Sequence, residues 1–160
     1  MEEIYNEYAE VIYNYLLTLT NKSDIAEELL QETFFSAVKN INKFRGDSDI
    51  KTWLCKIAKN KYIDYYNKSK KIKEVNIYDC SERYFTEKSF EDDFFNKENL
   101  FNTFKKIHKL DEKSKEVVYL RISTNFSFKE IGNIMGKTEQ WAKTRFFRAK
   151  KILKGDFKYE

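Results

Sequence analysis

The chain has 160 residues, 41% hydrophobic and 35% charged, with no proline and only four glycines; that suits two small helical domains of long helices and argues against sheets. No run approaches the roughly 18 apolar residues that span a bilayer, and the acidic start MEEIYNEY has no apolar segment, so an all-α, cytoplasmic protein without membrane insertion is expected. Cys55 and Cys80 show no CxxC or Cys/His ligand spacing, which favours buried or idle thiols over a disulfide or a metal site.

The net charge of +4 conceals a block pattern. Residues 1 to 44 hold 3 Lys/Arg against 8 Asp/Glu, 45 to 73 hold 9 against 3, 74 to 101 hold 3 against 8, and 102 to 160 hold 15 against 7. Two basic modules, each beside an acidic one, suggest two contacts with a polyanion along one chain.

In the first module Ile4, Tyr8, Val11, Ile12, Tyr15, Leu16 and Leu19 recur at three- and four-residue spacing, predicting a helix that ends near TNKSD,. Asn21 or Ser23 is placed to cap a second helix, whose predicted buried stripe is Ala26, Leu30, Phe34, Val38 and Ile41,. That stripe leaves Asp24, Glu27, Glu28, Gln31 and Glu32 on an acidic outer surface, either merely solvated or a docking face for a basic partner,. After Phe44, the turn Arg45-Gly46-Asp47-Ser48-Asp49 can cap a third helix with a core of Ile50, Trp53 or Leu54, Ile57, Ala58 and Tyr62,. Its other face interleaves Lys51, Lys56, Lys59, Asn60 and Lys61 with Tyr65 and Tyr66, a mixture that tracks a phosphate backbone while bases stack or are held outside the duplex.

The reading gives a first domain over 1–71, an acidic linker over 72–99 and a second domain over 100–160. Phe94, Phe101, Phe104 and Ile107 resume a helix that ends near Leu110, and Asp111 is placed to cap the next, which carries Val117, Val118 and Leu120,. His108, the only histidine, has no nucleophile or paired carboxylate patterned around it and suits packing or surface,. No glycine-rich phosphate loop or metal-ligand cluster is visible,.

The stretch from Ser127 to Leu153 reads as a helix-turn-helix. Ser127 and Glu130 have capping-box spacing, Ile131, Ile134 and Met135 form an apolar face, Gly136 stops the helix and Thr138 can cap the next,. Ala142, Phe146, Ala149, Ile152 and Leu153 should then face the core,. Gln140, Lys143, Thr144, Phe147, Arg148 and Lys151 gather opposite them, where cations meet phosphates or guanine, Gln and Thr reach base edges, and Phe meets a thymine methyl. The plainer alternative is an amphipathic hairpin with a solvated basic face.

Taken together, DIAEELLQETFFSAVKNINKFRGDSDIKTWLCKIAKNKYIDY resembles domain 2 of bacterial sigma factors, and LDEKSKEVVYLRISTNFSFKEIGNIMGKTEQWAKTRFFRAKKIL resembles their domain 4. A chain with only these two domains is similar to the extracytoplasmic-function group. The resemblance implies a non-enzymatic promoter-specificity subunit, with RNA polymerase core (β′ clamp coiled coil and β flap) and promoter DNA as partners. It leaves room for an anti-sigma factor and implies no cofactor. Docking on the β′ coiled coil would fall on Asp24, Glu27, Glu28, Gln31 and Glu32. Recognition and melting of the minus-10 element would fall on Phe44, Arg45, Trp53, Lys56, Asn60 and Lys61. The minus-35 element would be read by Gln140, Lys143, Thr144, Arg145, Phe147 and Arg148. The chain departs from the family pattern at Leu110-Asp111, which lacks the usual proline, at Trp141, which replaces a small residue, and at Asp64, acidic within the melting helix. The competing reading is a stand-alone helix-turn-helix regulator that needs no polymerase.

Overall fold

A computed structural model of the chain describes residues 1–72, 106–107 and 109–154. Its contacts divide the chain into two units, residues 1–85 and 86–160. Of the linker read over 72–99, residues 73–99, with Cys80 and Phe94, lie outside the described residues, as do Phe101, Phe104 and His108. Every regular element among the described residues is helical.

The first unit is a three-helix assembly of α1 (Glu2–Thr20), α2 (Ser23–Asn40) and α3 (Ile50–Ile72), with a 3-10 turn at Ile41–Lys43 after α2. Each helix packs on the other two. α1 ends where Asn21 takes a left-handed conformation at φ 53° and its amide donates to the Leu17 carbonyl at 2.9 Å. Asn21 therefore closes α1 and does not cap α2. Nor does Ser23, which is the first residue of α2 and follows Lys22 without any side-chain cap.

The core is built from Ile12, Tyr15, Leu16 and Leu17 of α1, Ala26, Leu29, Leu30, Phe34 and Ala37 of α2, and Leu54, Cys55 and Ala58 of α3. Burying one such large aliphatic side chain contributes about 1.5–3 kcal/mol before entropy is counted. The predicted α2 stripe drifts at its end, because of the two helical steps from Phe34 the three-residue one, to Ala37, turns to the core and the four-residue one, to Val38, does not. Ala37 is fully buried, Val38 is 51% exposed and Ile41 is half-buried. In α3 the open choice between Trp53 and Leu54 goes to Leu54, and Trp53 is half-buried with its ring 5.1 Å from that of Phe44.

In the second unit, α4 (Glu112–Ile122), α5 (Phe128–Met135) and α6 (Glu139–Lys154) pack together. Asp111 caps α4 as its spacing predicts, accepting from the Ser114 amide at 3.1 Å. Val117, Val118 and Leu120 are buried. Leu110, Val118 and Ala149 form one cluster, joined by Ile122, Phe146, Ile152 and Leu153. Ser127 and Glu130 make the full capping box at the start of α5. Phe126 and Ile131, on either side of that cap, are both buried, in the positions of a hydrophobic staple that fixes the direction of chain entry.

The turn between α5 and α6 is specified twice by glycine. Gly136 takes φ 63° at the end of α5, a conformation a side chain would penalise by about 1 kcal/mol. Gly132 lies under the turn: an added Cβ would sit 2.8 Å from the Lys137 carbonyl oxygen and 2.9 Å from Thr138 backbone atoms. α6 then starts with the Thr138 hydroxyl accepting from the Trp141 amide at 3.1 Å.

Candidate nucleic-acid and docking surfaces

On α6, Gln140, Lys143, Thr144, Phe147, Arg148 and Lys151 are all exposed. Their spacing puts them on one side of the helix, opposite Ala142 and Ala149, which are buried. Phe147 is 45% exposed and is not a free ring: Phe128 stands 6.0 Å from it and Phe146 5.6 Å. Behind them, the Arg121 guanidinium lies 4.8 Å from the Phe128 ring and donates to the Phe126 carbonyl at 2.7 Å. Sequence reasoning missed this support, and its one signal was the pair of phenylalanines flanking the Ser127 cap.

Arg145 departs from the expectation of a DNA-facing side chain. It follows Thr144, so it is turned about 100° around the helix toward α4. There Nη1 lies 2.6 Å from Asp111 Oδ1 and 3.3 Å from the Ser114 hydroxyl, and the guanidinium sits 5.0 Å from the Trp141 ring. For Asp111, burial pushes the carboxyl pKa up, but hydrogen bonds from the Ser114 hydroxyl and amide, together with the Arg145 charge, outweigh burial and hold it below the ordinary carboxylate value.

In the first unit Asp24, Glu27, Glu28, Gln31 and Glu32 are exposed along α2. The same side continues into Phe35, 63% exposed, and Val38, with the Lys39 ammonium 4.2 Å from the Phe35 ring. An apolar end to the acidic face was not expected, since the predicted stripe claimed Val38 for the core and passed over Phe35.

On α3, Lys56 and Asn60 are exposed, and Trp53 shares their side of the helix at helical spacing,. Phe44 is half-buried against Trp53, while Arg45 is exposed beside Gly46, which takes φ 74°. Asp49 shapes the loop exit, its carboxylate accepting from the Lys51 amide at 2.8 Å. Lys61 parts from this group, its ammonium lying 3.6 Å from Glu32 Oε2 on α2. Tyr65 is likewise half-buried, and its place on the open side is taken by Ile63, 41% exposed, and Asp64. Lys59 and Lys70 instead stand over a stacked pair of rings, 5.7 Å from Tyr62 and 4.7 Å from Tyr66. Among the described residues no group of His, Cys, Asp and Glu could hold a metal, and no helix is long and apolar enough to cross a membrane.

Two family models match the chain, Sigma-70 region 2 over residues 4–72 and Sigma-70 region 4 over residues 107–154. The RNA polymerase sigma factor YlaC of Bacillus subtilis is 30% identical, over 96% of this chain and 90% of that protein. The chain belongs to the sigma-70 family of RNA polymerase sigma factors. Within that family, the extracytoplasmic-function (ECF) sigma factor SigM of Bacillus subtilis is 32% identical, over 96% of this chain and 93% of that protein, and the chain falls in the ECF group. A crystallised sigma factor RpoE, in complex with the anti-sigma factor NepR from Bartonella quintana, shares the fold of this sigma factor, with a TM-score of 0.75, 22% identity and coverage of 96% of this chain and 94% of that one. The two matched regions correspond to the units that carry α1–α3 and α4–α6.

Proposed function

We propose that this sigma factor binds RNA polymerase core through the outer face of α2 and reads promoter DNA with the open faces of α3 and α6. The observation that carries the reading is the pairing, in one chain, of an acidic helix face that ends in exposed Phe35 and Val38 with a recognition helix whose open side holds Lys143, Arg148 and Lys151. An acidic, partly apolar face suits a basic protein surface, and the α6 face suits a polyanion with readable edges. Direction of promoter-specific initiation follows from the two together. A stand-alone regulator has no use for the first face, and the homologues do not favour it.

In this assignment Asp24, Glu27, Glu28, Gln31 and Glu32 meet the β′ clamp coiled coil. Phe44, Arg45, Trp53, Lys56 and Asn60 engage the minus-10 element, with Trp53 bracing the loop through Phe44 and Asn60 offering an amide to a base edge. Gln140, Lys143, Thr144, Phe147 and Arg148 read the minus-35 element. The domains are read as 1–71 and 100–160, joined by 72–99. The protein works in the cytoplasm, where polymerase and promoter are, as a regulatory subunit that catalyses nothing alone, and both open faces are surfaces an anti-sigma factor could cover.

The test is reconstitution with polymerase core on variant promoters. Lys143→Ala and Arg148→Ala should each change binding, a base-reading contact by about 1–3 kcal/mol of discrimination at one position and a phosphate contact uniformly across sequences. Unchanged binding for both removes α6 from the minus-35 element. DNA binding that persists while the tagged protein fails to co-elute with core would favour the stand-alone regulator.

A further inference from the structure

We propose that Asp111 is a specificity-determining residue of the recognition helix: by holding Arg145 against the start of α4, it keeps that guanidinium off the promoter and fixes the angle at which Gln140, Lys143, Thr144, Phe147 and Arg148 meet the bases. The proposal rests on α6 as the minus-35 reader.

Asp111 Oδ1 accepts from both the Ser114 amide, at 3.1 Å, and Arg145 Nη1, at 2.6 Å, while Oδ2 accepts from the Ser114 hydroxyl at 2.7 Å. That hydroxyl also accepts from Arg145 Nη1 at 3.3 Å, which closes a triangle between the α4 cap and α6. Ser114 is buried, so the triangle is anchored on a side chain enclosed by its neighbours. Arg145 contributes a third contact by lying 5.0 Å from the ring of Trp141, one turn back on α6,.

Delivering Arg145 to a phosphate would break all three contacts and return one ion pair. An isolated exposed ion pair restrains little, but this one couples a helix cap, a buried hydroxyl and a tryptophan to one guanidinium. The apolar cluster of Leu110, Val118 and Ala149 holds α4 and α6 together, and α5 packs on α6 as well. Directional polar bonds at the edge of the cluster add the restraint that aims Arg145.

Holoenzyme titrated with a matched promoter and one altered in the minus-35 element, over a range of salt, tests the proposal. Asp111→Ser retains an oxygen that caps α4 but loses the charge, and Arg145→Gln loses the cation. Each should lower discrimination between the two promoters by about fivefold, on the scale of one ion pair. The double variant should fall no further, because the pair acts as one unit, and Arg145→Lys should recover part of the loss. The salt slope should stay at the wild-type value in Arg145→Gln.

A slope reduced by about one in Arg145→Gln would place Arg145 on a phosphate and overturn the proposal. So would wild-type discrimination in Asp111→Ser, or losses that multiply in the double variant. Lys143→Ala in the same titration separates the layers. If it and Arg148→Ala both leave affinity and discrimination unchanged, the minus-35 reading fails and takes the clamp with it; if either lowers affinity or discrimination while the Asp111 and Arg145 variants are silent, only the clamp is wrong.

Discussion

The open faces of α2 and α6 have opposite charge and opposite construction. Among the described residues α2 presents carboxylates of which Glu32 alone forms an ion pair, and follows them with exposed Val38 and with Phe35, whose ring only the Lys39 ammonium approaches on that face. α6 presents cations beside a phenylalanine that three other side chains hold in place, Phe128 and Phe146 directly and Arg121 through Phe128. A protein partner can adapt to a loosely built face and gains from covering Phe35 and Val38. Base edges do not adapt, so side chains that read them must be positioned in advance. The difference in construction therefore matches the difference in proposed target.

The first prediction tests the α2 side. Reversing Glu28 and Glu32 to Lys is expected to abolish co-purification of polymerase core, since like charges across an interface cost several kcal/mol. Because Glu32 also pairs with Lys61 at 3.6 Å, Glu28→Lys alone serves as the cleaner variant and should weaken core binding by about tenfold or more. Wild-type recovery of core with the double variant would mean that α2 is not the docking face.

Next in size is Gly132→Ala, which tests whether the construction of the α6 side is needed. The added methyl meets backbone at 2.8 Å, and overpacking of this kind costs about 1–3 kcal/mol. Chemical denaturation should show the second unit weakened and minus-35 binding reduced, while core still co-purifies through the first unit. Equal loss of core binding would show that the two units are not separable in this way.

Asn60→Ala is a hypothesis about α3, which lies between the two extremes. Recruitment to duplex promoter should survive, while permanganate reactivity of minus-10 thymines falls, because a flipped base loses a hydrogen bond of about 1 kcal/mol. A premelted template should restore part of the yield. Duplex opening at the parental level would reduce the open side of α3 to a backbone contact.

The smallest effect is a pH dependence confined to the second unit. The folded state holds the Asp111 carboxyl below its ordinary 3.8, so the unfolded chain takes up the proton first as pH falls. The stabilisation is complete above that ordinary value and disappears as pH drops through the lower folded one. With the Asp111 side chain 60% exposed, it amounts to no more than about 1 kcal/mol. Thermal melts followed as pH falls from above 3.8 to below it should therefore draw together for the parent and Asp111→Ser,; curves that stay parallel would show that the Ser114 and Arg145 contacts to the carboxylate add nothing to stability.

How far the sequence could be read varied with how local the cause was. The capping box of Ser127 and Glu130, the stop at Gly136, the caps at Asp111 and Thr138 and the open side of α6 all depend on residues within one or two helical turns, and each stands as the spacing implies. Lys61 enters the DNA contacts from the basic face of α3, and Arg145 only through the family resemblance, since the periodic pattern of α6 leaves it off the open side. Their structural partners, Glu32 and Asp111, are 29 and 34 residues away, beyond what a periodic pattern can register.

Composition, periodicity and capping chemistry thus determined that this chain is helical, that it carries two basic modules and that the second is a helix-turn-helix, because each of these follows from steric and hydrogen-bonding rules acting along a few neighbouring residues. Tertiary structure alone decided which residues those modules leave available. Packing of α1 and α3 on α2 chose Ala37 over Val38 for the core and so gave the acidic face its apolar end, and the approach of α4 to α6 turned Arg145 toward Asp111. Exposure and ion pairing depend on which helices meet, and that is settled by the shape of the whole core rather than by any one stretch of chain.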